Sequence, residues 1–437
     1  MTLDGRAPLV KQRATMFRYL GLQVGDTSLE ANYELDGRVF SESVVFEGVH
    51  GLDHPAAQSI AELWYLIAGL SYYKAGAASC IDLGTTPLGA YGRALFEAAL
   101  VDGLGEFAYR NDLSLEDTRF EGGTSVQRRT PVIDPHRVLT PFGGGIDSVV
   151  SVTELSPALE QSLFIVSPSS GRFEPLERTA AVSGLPIIRA TREIDPQILK
   201  GDSEFFNGHV PVTMMVTLLA VLAALASGRG GVVMSNEHSS SEPNVRWRDR
   251  DINHQWSKSL VAEDLIANAV RERVGDVLSV ASFLRDRSEL WVARQFARQP
   301  QFHAVFRSCN RAFHQDSTKR FEEWCGVCDK CLFIHLMLAP FLSRSALRAI
   351  FKSEPLANRA LEGQLRALIG VGLEHKPFEC VGDPDESAVA LEFVSAMDEW
   401  SEVTWLRELN LLARSDREFS ELLEPLGPSR VPAHWLR

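Results

Sequence analysis

The 437-residue chain predicts an α/β protein, a doubly wound parallel sheet carrying a cysteine cluster and preceded by an α+β N-terminal domain. Three observations lead there. From residue 137 onward short apolar runs alternate with helical segments, the first run ends in the glycine triplet Gly143, Gly144, Gly145, and four cysteines fall between positions 309 and 331. Strands separated by helices imply right-handed crossovers and parallel pairing. A hydrophobic content of 45% is enough for a sizeable core and for two or three domains. The boundary is expected near residue 130, giving an N-terminal α+β domain (1–130) and an α/β domain with a helical end (131–437).

Taken in order, residues 29–46 alternate around Asp36-Gly37, a pair that tolerates the positive φ angles of a tight hairpin. Asp53 is expected to cap a helix with Pro55 in its first turn. That helix carries Trp64, Tyr65, Tyr72 and Tyr73, which read as core residues rather than a ligand platform. A second helix is expected over 91–102, and the polar stretch 121–130 reads as a linker. Then come a strand at 137–139, the glycine loop, a helix from Ser148, a strand at 162–166, a helix at 175–182 and a strand at 186–189. An apolar helix after Pro211 and a strand at 231–234 follow. The run 210–226 is at the short limit for a bilayer span and reads as a buried helix. From about residue 354 the pattern is helical, broken by Gly, Pro and Asp.

The opening residues M-T-L-D-G-R-A-P lack the basic and apolar regions of a secretory signal, so a soluble cytoplasmic protein is expected. A net charge of −13 argues against the broad basic surface that tRNA or DNA requires. Arg246, Arg248 and Arg250, and the pair Arg285 and Arg287, remain candidates for contacting a phosphorylated small molecule. No nucleic-acid or membrane partner is expected, and the oligomeric state is left open.

Residues 140–148 read T-P-F-G-G-G-I-D-S. Glycines let the backbone turn sharply without shielding its N–H groups, so a polyanion can lie against them. The following helix adds the positive end of its dipole. The spacing is neither G-x-x-x-x-G-K nor G-x-G-x-x-G. It resembles the S-G-G-x-D-S loop of the PP-loop ATP pyrophosphatases, with Gly143 in place of the usual Ser. That resemblance implies ATP cleavage between the α and β phosphates.

Cys309, Cys325, Cys328 and Cys331 form C-x15-C-x2-C-x2-C. Two-residue gaps let thiolates converge on one tetrahedral Zn²⁺, and four thiolates leave no open position for water, so the metal would be structural. Iron–sulfur ligation is the competing reading. The words S-C-N (308–310) and C-G-V-C-D-K-C (325–331) also resemble the zinc site of 7-cyano-7-deazaguanine synthase, itself a PP-loop enzyme.

A polar segment, S-N-E-H-S-S-S-E-P-N (235–244), follows the predicted strand 231–234, and a second, N-H-Q-W-S-K-S (253–259), places Lys258 near the start of the next helix. Ligands of such sheets sit at the carboxyl ends of strands. Together with G-G-G-I-D-S, the block C-G-V-C-D-K-C-L-F-I-H-L-M-L-A-P-F (325–341) and K-P-F-E-C-V-G (376–382), these words resemble the UDP-N-acetylmuramoyl-L-alanyl-L-glutamate epimerase family. The resemblance implies an ATP-dependent isomerase of peptidoglycan precursor synthesis, with a PP-loop-type catalytic domain and an N-terminal domain for substrate recognition. It implies inversion of the terminal L-Glu of UDP-MurNAc-L-Ala-L-Glu through a carboxyl adenylate, with ATP, Mg²⁺ and structural Zn²⁺ taking part. Gly143, Gly144, Gly145, Asp147, Ser148, Asn236 and Lys258 are then expected to hold the nucleotide. Asp147 would orient Mg²⁺ or the pyrophosphate, and Lys258 would balance phosphate charge. Glu237, His238 and Cys380 are the candidates for proton transfer, beside Asp147 and Lys258 as catalytic groups. The rival readings are a PP-loop enzyme of nucleoside or tRNA modification and a non-catalytic nucleotide sensor.

Overall fold

The computed structural model describes residues 11–199, 205–313, 320–372, 376–413 and 415–437; the opening residues 1–8, read above for a secretory signal, lie outside them. Strands β1 (Met16–Val24), β2 (Ser28–Leu35), β3 (Arg38–Glu47), β4 (Cys80–Asp82) and β5 (Arg119–Glu121) belong to the N-terminal part. They are followed by β6 (Asp134–Pro141), β7 (Glu160–Pro168), β8 (Ile187–Glu193), β9 (Arg229–Met234), the small pair β10 (Val245–Trp247) and β11 (Arg250–Ile252), and β12 (Ser279–Ser282). Ten of these form one mixed, mostly parallel sheet in the order β12-β9-β6-β7-β8-β3-β2-β1-β4-β5.

β12, β9, β6, β7 and β8 pair in parallel. The spatial order reverses between β6 and β9, and such a reversal opens a crevice at the strands' carboxyl ends. On the far side β3 pairs antiparallel with β8, so the N-terminal meander extends the same sheet. A buried ion pair crosses this seam, with Arg192 donating to both oxygens of Glu42 at 2.6 and 3.2 Å.

The two-residue period of the strands separates two cores. Leu139, Phe164, Val232 and Val280 pack into one cluster, beneath the helices Pro55–Tyr73, Val212–Ala226 and Leu260–Val274. Val138, Leu163, Ile165, Val233 and Ala281 face the other, beneath Ile146–Glu154, Glu289–Ala297 and Asp329–Leu338. Inward residues of β1–β3, such as Phe17, Tyr33 and Phe40, join the first cluster only, together with Trp64, Tyr65, Tyr72 and Tyr73. Those aromatics are core. The helix Val212–Ala226 is buried along eleven of its 15 residues, and among the described residues no helix is long and apolar enough to cross a membrane.

The hairpin turn lies at Asp36-Gly37, with φ of 44° and 87°. Three expectations need correction. The first helix is capped by His54, whose side chain accepts from the Ala56 N–H, and not by Asp53. Pro55 holds the residue before it extended, which is the conformation of an N-cap. The glycine-loop helix starts at Ile146, so Asp147 stands in its first turn. β1, β4, β5, β10, β11 and β12 were not anticipated: five of them span only three or four residues, too few to show a period.

Candidate active site

The glycine loop leaves β6 at the carboxyl edge of the sheet, where it lines a cavity of about 380 Å³. Phe142, Gly143, Gly145, Asp147 and Ser148 form one wall, and Met234, Ser235 and Asn236, which follow β9, form another. Gly144 has φ of 73°, a conformation side chains rarely adopt. A Cβ on Gly145 would meet Ser308 Oγ at 2.7 Å, whereas one on Gly143 would meet nothing within 4 Å. The helix Ile146–Glu154 begins on Gly145 with no side-chain cap, leaving its first-turn donors to whatever enters the cavity.

Asp147 projects from that first turn with Oδ1 buried and without a hydrogen-bond partner. Burial and the Glu237 carboxylate raise its pKa to about 7, against the opposing charges of Lys330 and Lys258. A buried carboxylate oxygen without a donor fits a hard divalent cation.

Lys258 also lines the cavity. Burial disfavours its charge, but Cys380, Glu237 and Asp147 outweigh that cost and raise its pKa. Its segment is locked by Arg285, which is buried and paired with Glu263 at 2.9 Å. The Arg285 guanidinium donates to the Glu237 carbonyl at 3.0 Å and to the Lys258 carbonyl at 2.5 Å. One buried cation therefore fixes both polar segments against each other.

The segment 376–382 is fastened across them by side-chain amides. Asn244 Nδ2 donates to the Pro377 carbonyl at 2.7 Å, and Gln255 Nε2 to the Val381 carbonyl at 3.1 Å. Cys380 is thereby set 3.4 Å from Lys258 Nζ. The His254 imidazole is another group whose charge acts on this sulfur. His254 Nδ1 meets Glu106 Oε2 at 2.5 Å, and Arg110 Nε donates to the other Glu106 oxygen at 2.6 Å. Burial would raise the Cys380 pKa, but Lys258, His254 and Lys330 lower it to about 6. Burial likewise works against the His254 cation, while Cys380 and Glu106 raise its pKa to about 9. The His209 ring lies tilted against that of His254, 4.3 Å between centroids, and its pKa is lowered to about 4, chiefly by burial.

The four cysteines Cys309, Cys325, Cys328 and Cys331 converge, with sulfurs within 4.8 Å of one another. Their contacts of 3.4 to 4.0 Å are close to the ~3.8 Å edge of a tetrahedron built on 2.3 Å Zn–S bonds. Gly326, at φ 69°, makes the turn between the first two sulfurs of the C-x2-C unit. The cluster braces the cavity from both ends. Ser308, beside Cys309, fills the space where Gly145 lacks a Cβ, and the Arg307 N–H donates to the Gly144 carbonyl at 3.2 Å. Lys330, between Cys328 and Cys331, is buried and turns its charge toward Asp147, Cys380 and Glu289.

Of the residues singled out in the sequence, Gly143, Gly145, Asp147, Ser148, Asn236 and Lys258 share the cavity, and Gly144 shapes its wall. Glu237 is buried facing Asp147 and Lys258, and Cys380 touches Lys258. His238 sits apart: its ring lies near Gly427 and faces Glu242, Arg417 and Asp383. Sequence reasoning missed Glu106, His209, His254 and Lys330. His254 and Lys330 stood inside quoted words, N-H-Q-W and C-D-K-C, so those words held the signal. The arginines noted for phosphate binding do not serve the cavity. Arg285 is structural, Arg250 pairs with Asp102 and Glu116, Arg248 with Asp112, and Arg287 with Asp286, because nearby carboxylates already satisfy them. Arg246 is exposed on β10.

Comparison with known proteins gives matches over nearly the whole chain. Residues 9–283 match the MurL N-terminal domain and residues 305–421 the MurL C-terminal domain. A protein of Micromonospora sp. is 39% identical over 383 residues, covering 85% of this chain and 84% of its own. One of Salinispora tropica is 38% identical over 386 residues, covering 86% and 82%. One of Xanthomonas oryzae pv. oryzae is 35% identical over 445 residues, covering 98% and 97%. All three are named UDP-N-acetyl-alpha-D-muramoyl-L-alanyl-L-glutamate epimerase. No solved structure matches the chain.

Proposed function

The chain belongs to the MurL family, and on that premise we propose that it inverts the terminal L-Glu of UDP-MurNAc-L-Ala-L-Glu to D-Glu, using ATP to form a carboxyl adenylate. The observation that carries the reading is one cavity in which an uncapped helix N-terminus, the unpartnered Asp147 oxygen and Lys258 meet, in a chain coextensive with relatives named for this epimerisation.

The chemical obstacle is the α-hydrogen. Removing it beside an ionised carboxylate stacks negative charge on negative charge, which gives a prohibitive barrier. Adenylation cancels that charge and makes the α-carbon acidic enough for a side-chain base. In this reading the first-turn amides of Ile146–Glu154, with Ser148 and Asn236, cradle the phosphates. Lys258 balances charge that develops as pyrophosphate leaves. Asp147 holds Mg²⁺, which supplies Lewis-acid stabilisation to the phosphates when bound. The four cysteines hold a structural Zn²⁺ that keeps Ser308 and Lys330 against the cavity. The N-terminal part contributes substrate recognition within peptidoglycan precursor synthesis, and the reaction is cytoplasmic.

The test is incubation with ATP, Mg²⁺ and the UDP-linked L,L-dipeptide in D₂O. The reading expects D-Glu carrying deuterium at Cα, together with AMP and pyrophosphate. ADP as the nucleotide product, or inversion without any nucleotide, would refute it.

A further inference from the structure

Three candidates stand out beyond the nucleotide cavity. They are the Glu106, His209, His254 group, the buried carboxylates around Glu289 and Glu386, and the chain of contacts ending at Cys380. The first and third share His254, and the geometry chooses between them. Both Glu106 oxygens are already committed, one to Arg110 Nε at 2.6 Å and one to His254 Nδ1 at 2.5 Å. A metal taking a Glu106 oxygen would compete with the donor already held there. An imidazole held on one nitrogen by a carboxylate instead presents its other nitrogen in a fixed orientation, and here the charge of that ring acts on Cys380, which Lys258 Nζ approaches to 3.4 Å.

We infer that Cys380 is the group that takes the α-proton, with Lys258 holding its charge and a His254–Glu106 pair positioning it. The inference rests on the adenylation reading and assigns its missing base. Cys380 is the catalytic residue; His254 and Glu106 are positioning residues. The carboxylate of the pair comes from the helix Gly105–Asn111, in the N-terminal part, 148 residues from His254. The N-terminal part thus completes the reacting site.

The charges support the assignment. Cys380 faces Lys258 and His254 from the polar segments, Lys330 from Asp329–Leu338, Asp147 from Ile146–Glu154, and Glu379 beside it in sequence. The cationic groups prevail, lowering the thiol to about 6. His209 is depressed to about 4, so near neutrality the imidazole charge resides on His254 rather than on its neighbour. Asp147 belongs to the same cluster of charges as Cys380, and its Oδ1 is buried without a partner while its side chain and that of Lys258 line the cavity, which leaves that oxygen for a ligand. In the step itself the Cα–H bond breaks as an S–H bond forms. The electron pair passes into the acyl phosphate carbonyl, and a proton derived from water re-forms Cα–H on the opposite face.

The experiment separates this assignment from adenylation. Cys380→Ser and Cys380→Ala are assayed for substrate-dependent ATP–pyrophosphate exchange and for deuterium entry at Cα. The expected result is exchange retained within a few fold, while deuterium entry falls about 10²- to 10⁴-fold, the range of a lost general base. Thiolate absorbance of the ligand-free protein should titrate near 6 at Cys380, and His254→Gln should move that midpoint toward the ordinary thiol value of about 8.5. A purely structural role for His254 would not move it. Unchanged deuterium entry in Cys380→Ala would overturn the inference. So would an acyl group trapped on Cys380, a wild-type midpoint near 8.5, or a divalent ion bound in stoichiometric amount and lost in His209→Ala. Wild type showing no ATP–pyrophosphate exchange would sink the adenylation reading instead, while the thiolate titration still judges the charge arrangement.

Discussion

Asp147→Asn tests the nucleotide cavity through proton bookkeeping. Burial and Glu237 lift Asp147 from an ordinary 3.8 to about 7, so at pH 7 about half of the ligand-free molecules carry its proton. A cation selects the carboxylate. Binding of Mg²⁺·ATP should therefore release about 0.9 proton from this residue at pH 6, about 0.5 at pH 7 and about 0.1 at pH 8. The sign of the stability effect follows from the raised folded-state pKa. The folded protein holds the proton more tightly than the unfolded chain, so this stabilisation is complete below about 3.8 and is lost as pH rises through about 7. At pH 8 the carboxylate then costs at most about 4 kcal/mol, three pKa units at 1.36 kcal/mol each, reduced by its residual solvent contact. Asn, of the same shape and neutral, removes the cost. Asp147→Asn should melt at a higher temperature than wild type when ligand-free at pH 8, with a smaller difference at pH 5. Titration calorimetry in buffers of different ionisation enthalpy reads the protons, and thermal unfolding reads the stability. Equal proton release by wild type and variant at pH 7, or equal Mg²⁺·ATP affinity, would refute the reasoning.

Three further perturbations discriminate among the supporting parts. Gly145→Ala should weaken ATP binding at least about tenfold, since its Cβ would sit 2.7 Å from Ser308 Oγ, whereas Gly143→Ala should bind ATP almost as wild type does. Equal effects in an equilibrium binding assay would contradict the packing argument. Cys328→Ser should lose one equivalent of zinc per chain and lower the melting temperature, because structural zinc contributes directly to folding. Elemental analysis finding iron with acid-labile sulfide would replace zinc by a cluster. Arg285→Met should destabilise the protein by about 3–5 kcal/mol, the usual cost of leaving a buried partner such as Glu263 uncompensated. Denaturant unfolding within 1 kcal/mol of wild type would show that the Glu237 and Lys258 segments are held by other contacts.

What could be read from the sequence was local. The Asp36-Gly37 turn, the glycine loop and the cysteine spacing each depend on backbone chemistry within a few residues, and the described structure contains all three features. The continuity of one sheet through β3 and β8 was not legible, because pairing of Val44 with Arg192 depends on contacts distant in the chain. The same holds for the group around Cys380. Glu106 lies in a short helix with nothing nearby to mark it, and only the fold brings it to His254. Lys330 stood between two metal-binding cysteines, and a reading centred on thiolates passed over it.

Lys258 joins the two halves of the proposed chemistry. Its side chain lines the nucleotide cavity while its ammonium lies 3.4 Å from the Cys380 sulfur. In a buried site one such charge stabilises both neighbouring anions more strongly than it would in water, because little solvent screens it. The geometry thus suits a sequence in which activation of the carboxyl group and removal of the α-proton occur at adjoining positions. A base kept ionised by a thiol pKa near 6 needs no separate activation once the substrate carboxylate has lost its charge. The order of events then follows from electrostatics: until the carboxylate is adenylated, the thiolate meets a second anion, and afterwards it meets a neutral, acidified α-carbon.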